Sequence, residues 1–182
     1  MATQVVLLRG INVGSANRVA MPALRTALTG AGHGNVRTYV QSGNIVLDSE
    51  LGADDLAAHV GDAIEAEFGL QIPVVTRTHA ELAAVVEANP LGAVASEPKR
   101  YQVSFLDREP GADAVARLQD LAEPPEALAI LGREIYAWHP DGVARSKLWN
   151  ALAARGGVGG ATATARNWTT VTTLLEMAAD AG

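Results

Sequence analysis

Residues 36–48 read Val-Arg-Thr-Tyr-Val-Gln-Ser-Gly-Asn-Ile-Val-Leu-Asp. Two strand-like runs, Val36–Gln41 and Ile45–Asp48, flank Ser42-Gly43, a two-residue hairpin signal. Upstream, Pro22 sits in a first helical turn, with Leu24, Leu28 and Ala31 on one face before the glycines at 30–34. Before that helix, Val5–Ile11 is a β-branched-rich strand. Downstream, Leu56, Val60, Ile64 and Phe68 recur four apart, which predicts a helix with one apolar stripe and an acidic outer face. Ile72–Val75 closes the segment as a strand. The order is β-α-β-β-α-β.

A capping box, Thr78-x-x-Glu81, starts a helix through Ala88, and Asn89–Pro98 reads as a linker. The same order then returns. Tyr101–Leu106 is a strand and Asp113–Leu121 a helix, followed by a hairpin of Ala127–Leu131 and Glu134–Trp138 around Gly132-Arg133. Ser146–Arg155 is a helix, Thr162–Ala165 a strand, and Trp168–Ala179 a final helix capped by Asn167. The predicted fold is α+β: two ferredoxin-like (β-α-β-β-α-β) halves with antiparallel sheets, plus a C-terminal helix. The halves span 1–77 and 101–182, joined by a helix and linker at 78–100. The duplication is expected to be architectural, without a strong residue-level repeat. Val5-Val6-Leu7-Leu8 does not alternate, so this strand should be buried on both faces. Helices cover one face, and the second half or a dimer partner is expected to cover the other.

The chain has 182 residues, 48% of them hydrophobic, no cysteine and a net charge of −6. That supports a folded core and excludes disulfides and thiolate chemistry. No apolar run approaches the ~18 residues of a membrane span, and the expected setting is cytoplasmic. Charge is uneven. Residues 1–48 carry Arg9, Arg18, Arg25 and Arg37 against Asp48, whereas 49–70 carry only acidic charges. A second basic stretch lies at 133–168. This pattern speaks against bulk nucleic-acid binding and for small local anion sites.

The topology places two sets of polar residues at strand and helix ends. In the first half, Arg9, Asn12, Asn17, Arg18, Gln41, Ser42 and Asn44 fall at one end, where the loop after the first strand meets the hairpin. In the second half, Arg145, Ser146, Lys147, Arg166 and Asn167 fall where two helices begin. Arginine offers a bidentate fork to phosphate or carboxylate, and helix starts offer free N–H groups. Each set also has a plain architectural reading, with glycine and asparagine as turn formers and Ser146 and Asn167 as ordinary caps. No metalloprotease, nucleophile-elbow or phosphate-loop motif occurs, and the four histidines have no metal spacing. His139 alone lies beside a candidate site, with Asp141 as a potential acid–base partner.

Five collinear segments resemble the family catalogued as domain of unknown function 1697. They are Leu7-Leu8-Arg9-Gly10-Ile11-Asn12-Val13-Gly14, Tyr39-Val40-Gln41-Ser42-Gly43-Asn44, Gly132-Arg133-Glu134-Ile135-Tyr136, Pro140-Asp141-Gly142 through Arg145-Ser146-Lys147-Leu148, and Thr164-Ala165-Arg166-Asn167-Trp168. The resemblance implies a bacterial, cytosolic protein of ferredoxin-like halves, and it implies no activity. Together these readings lead to an expected ligand-binding protein, taking a small anionic, phosphate-bearing or nucleotide ligand through the two polar sets, with no cofactor. Two rivals stand beside it. One is an enzyme on a phosphorylated or nucleic-acid substrate, using His139 or Ser42. The other is an interaction or assembly module, such as a homodimer, built on an exposed sheet face.

Overall fold

The structure, a computed structural model, describes residues 1–180. In chain order the elements are β1 (Ala2–Leu8), α1 (Met21–Gly30), β2 (Gly34–Tyr39), β3 (Asn44–Ser49), α2 (Ala53–Phe68), β4 (Val74–Thr78) and α3 (His79–Ala88). A 3₁₀ turn at Pro98–Arg100 then leads into β5 (Tyr101–Leu106), α4 (Ala112–Leu121), β6 (Ala127–Leu131), β7 (Glu134–Trp138), α5 (Lys147–Ala153), β8 (Ala163–Asn167) and α6 (Trp168–Ala179). Two four-stranded antiparallel sheets result, ordered β2-β3-β1-β4 and β6-β7-β5-β8. The two ferredoxin-like halves and the C-terminal helix are as expected. The chain forms two compact units. The first is Met1–Ala84 together with the residues from Thr173 on, and the second is Val85–Thr172.

In the first unit, Val6, Leu8, Ile45 and Leu47 face α1 and α2. Leu24 and Leu28 of α1 and Leu56, Val60 and Ile64 of α2 close that layer. Each such side chain contributes roughly 1.5–3 kcal/mol on leaving water. The opposite sheet face carries Val5, Leu7, Val46 and Val75, and these too are buried. Arg37, level with Val46 on this face, donates from Nη2 to Met177 O at the far end of α6, 2.6 Å away. The face expected to be covered by the second half or a dimer partner is buried within this chain at these positions.

The second unit repeats the plan. Leu106, Ile135, Ala137 and Ala163 face α4 and α5. Tyr101, Val103, Phe105 and Tyr136 occupy the other face, where Tyr101 stacks on Trp168 at 4.7 Å. On that face the Tyr136 hydroxyl donates to Val85 O, 3.1 Å away, at the end of α3.

The halves also repeat residue by residue where the sequence suggested only architecture. Gln4-Val5 of β1 pairs with Thr78 and Arg77 of β4, and Gln102-Val103 of β5 pairs with Asn167 and Arg166 of β8. Arg77 and Arg166 are both buried, and each donates from Nη1 to the carbonyl one residue before it, at 2.8 Å. The next residue caps a helix in both cases. Thr78 exchanges hydrogen bonds with Glu81, and Asn167 Oδ1 accepts from the Thr170 N–H. The repeat escapes a scan of the chain because only paired positions match.

Four boundaries move for physical reasons. β4 and β8 run on to Thr78 and Asn167, because their ladders with β1 and β5 continue until the helix begins. α5 ends at Ala153, and Gly157 follows where a Cβ would stand 1.8 Å from Ala151 O. The first hairpin has a four-residue turn, Val40–Gly43, with Tyr39 opposite Asn44. Val40 there is held at φ +49°, unusual for a β-branched residue. The second hairpin keeps its two-residue turn with Gly132 at φ +57°.

Gly43 sits at φ +82° with Leu8 Cβ only 2.5 Å from where its own Cβ would be. Replacing Gly43 with Ala should therefore cost about 2–3 kcal/mol and lower the melting temperature by at least ~5 °C in a calorimetric scan. A pH effect is also expected. His59 Nδ1 lies 3.1 Å from His33 Nε2, and burial first, then the His59 charge, holds the buried His33 imidazole below its ordinary pKa. A depressed folded-state value means that the fold prefers neutral His33. Its stabilisation is complete above the ordinary histidine range and fades as pH falls through the lowered value. Urea unfolding from pH 8 to 5 should show a loss of stability on acidification that is smaller in His33→Gln.

Candidate functional site

The first polar set forms around left-handed turns. Gly10, Asn12, Gly14 and Asn17 all have positive φ, a conformation that asparagine and glycine tolerate best. Asn12 Nδ2 donates to Val19 O at 2.9 Å and to Gln41 O at 2.8 Å, and its Oδ1 accepts from the Val19 N–H. Asn17 Nδ2 donates to Gly10 O. Asn44 is wholly buried and donates to Tyr39 O. The loop and hairpin do meet, as the topology requires, but Asn12, Asn17 and Asn44 hold backbone there. Arg9 is half-buried beside Pro73, whose carbonyl accepts its N–H. Arg18, Gln41 and Ser42 are exposed.

The second set separates into different roles. Arg166 lies buried in β8, donating to Thr164 Oγ1 at 2.7 Å, and burial lowers its guanidinium to about 10. Asn167 caps α6. Lys147 Nζ donates to Glu123 Oε1 at 2.9 Å, and that exposed pair raises the ammonium above its ordinary value. Ser146 caps α5 by accepting the Trp149 N–H at 2.9 Å. Arg145 differs: it is exposed, and among the described residues it makes no ion pair.

Arg145 and Ser146 border a cleft of about 470 Å³ whose other walls are Glu123–Glu126 and Asp141, Gly142 and Ala144. The volume falls within the range of small-molecule sites. Behind it stands a polar cluster. His139 Nδ1 lies 2.7 Å from Glu126 Oε2, and the Ser146 hydroxyl donates to the same oxygen at 2.8 Å. Burial, outweighing Glu126, holds the His139 imidazole below its ordinary pKa, so the ring is neutral near pH 7. A carboxylate oxygen only accepts, so Nδ1 carries the hydrogen. His139 Nε2 is then a buried acceptor with no partner, and the ring meets Trp149 edge to face at 5.8 Å.

Two expectations about His139 change. Its carboxylate partner is Glu126, not Asp141, because β7 brings His139 back beside the segment leading into β6. It is also wholly buried, which removes it from the surface where an acid–base catalyst would meet substrate. Glu123 and Glu126 are site residues that sequence reading missed. They frame Pro124-Pro125, and a Glu-Pro-Pro-Glu run between a helix and a strand was the available signal. Among the described residues, no three His, Asp or Glu side chains gather closely enough to hold a metal ion. No described helix is long and apolar enough to cross a membrane.

The comparisons fit the fold. A structure of a conserved bacterial protein from Streptococcus pneumoniae superposes with a TM-score of 0.78 at 23% identity, over 97% of this chain and 98% of that one. This likeness establishes the fold alone. No curated protein matches the chain. The family model described as protein of unknown function (DUF1697) matches residues 1–136, three quarters of the sequence, and the chain belongs to that family.

Proposed function

We propose that the protein binds a small ligand in the cleft of the second unit, and that the ligand presents an anionic, phosphate-type group to Arg145. The exposed Arg145 guanidinium on the wall of a concave site carries this reading. The other cations predicted in the second set have roles of their own, with Lys147 on Glu123 and Arg166 buried in its strand. A guanidinium in a partly enclosed site makes stronger, more directional contacts to phosphate oxygens than one on open surface. Ser146 is buried, and its hydroxyl is engaged in capping α5 and in donating to Glu126. These contacts make Ser146 part of the cleft's fixed wall, which suits a binding site.

Thermal-shift measurements at low salt, with phosphate, pyrophosphate, nucleotides and sugar phosphates, test the reading. A ligand at ~100 times its dissociation constant adds about 2.7 kcal/mol. In a chain of this size that raises the melting temperature by roughly 5–10 °C. Arg145→Ala should abolish the shift without lowering the melting temperature of the free protein. A shift that survives in Arg145→Ala places the ligand elsewhere, and no shift across the panel overturns the proposal.

A further inference from the structure

The cleft holds more negative than positive charge. Glu123, Glu126 and Asp141 line it against Arg145, and of these three only Glu123 has a cationic side chain beside it among the described residues, Lys147. A ligand that is purely anionic would meet Arg145 and then face two uncompensated carboxylates. Glu126 is the better placed of these. Its side chain is 16% exposed, and His139 and Ser146 both occupy Oε2. Oε1 has no hydrogen-bond partner among the described residues, on a carboxylate that borders the cleft.

That asymmetry selects chemistry. A carboxylate with both oxygens open accepts a two-pronged donor such as a guanidinium or the paired N–H groups of a guanine edge. Here the two acceptor sites of Oε2 are filled from the protein side, and a single oxygen is left for the ligand. A compact ammonium, a point charge with three donors, suits one oxygen. Asp141, exposed and without an ion pair among the described residues, adds a second negative charge to the same cleft. From the geometry we infer that the ligand is zwitterionic, with a primary ammonium bound by Glu126 and an anionic group bound by Arg145. His139 and Ser146 are positioning residues that fix which Glu126 oxygen is offered.

This inference rests on the proposed cleft, so its test separates the two. Isothermal titration would compare phosphoethanolamine with ethyl phosphate, which share the phosphate and differ by the ammonium. The wild-type protein should bind phosphoethanolamine at least tenfold more tightly. Glu126→Gln should erase that preference and leave ethyl phosphate binding within about twofold, while Arg145→Ala should weaken both. Equal wild-type binding of the two probes, or a preference that persists in Glu126→Gln, overturns the ammonium site and leaves the cleft as an anion site. Binding of phosphates from the wider panel without phosphoethanolamine binding overturns it as well. Failure of every phosphate to bind overturns both readings. The preference is measured on the wild-type chain first, so the test stands even where Glu126→Gln does not fold.

Discussion

Val5 and Leu7 point to one face of β1, Val6 and Leu8 to the other, and all four are at most 1% exposed. A central strand of this kind needs cover on both sides, and a simple β-α-β-β-α-β unit supplies it on one. Leaving Val5, Leu7, Val46 and Val75 uncovered would forfeit roughly 1.5–3 kcal/mol for each, on the scale of the ~5–15 kcal/mol that a whole domain retains. On that face Arg37 reaches Met177 O of α6, and the chain has two additional helices that start without a loop. β4 passes straight into α3 and β8 straight into α6, so Thr78 and Asn167 end a strand and cap a helix at once. Both helices are divided between the compact units, α3 at Ala84/Val85 and α6 at Thr172/Thr173. The first unit is therefore assembled from two separate stretches of sequence, while the second is continuous.

The paired arginines follow from the same arrangement. Arg77 and Arg166 occupy the strand position just before the cap, on the face opposite the α1/α2 or α4/α5 layer. There a long side chain must remain inside the protein. Each satisfies part of its guanidinium on a carbonyl of its own strand. Placing a charge there is costly unless its donors are met. The position shared by the two halves shows that the requirement belongs to the strand-to-helix passage and not to one local site. Arg166, named from sequence as a ligand contact, is in this respect the counterpart of Arg77.

Much of the fold was legible because its signals are local. The four-residue spacing of Leu56, Val60 and Ile64, the Thr78 capping box and the Gly132 hairpin each depend on neighbours in sequence, and each stands in the structure. The Val40–Gly43 turn was misread because distant side chains hold it. Asn12 reaches Gln41 O from 29 residues away, and Leu8 packs where a Gly43 Cβ would be. The candidate site was half legible for a related reason. Polar residues at loops and helix starts were correctly located, but composition does not separate an asparagine that bonds backbone from one that is free. Asn12, Asn17 and Asn44 proved to be the first kind, and Arg145 stays exposed on the wall of the cleft.

Glu126 is harder to explain by architecture alone. Capping α5 requires only the Ser146 hydroxyl, and a glutamine at 126 could accept hydrogen bonds from Ser146 and His139 without placing a charge at 16% exposure. A carboxylate in that position loses much of its hydration, and the two donors on Oε2 restore only part of it. His139 compounds the cost, because its buried Nε2 is left without a donor. Buried polar atoms without partners are rare in folded proteins, and two incompletely satisfied groups joined by one hydrogen bond are rarer still. Both stand behind a cleft in which Arg145 and Asp141 also lack ion pairs among the described residues. Glu126, held through Oε2 from the protein side and open through Oε1, offers an acceptor fixed in place before the proposed ligand arrives, which is how preorganisation lowers the cost of binding.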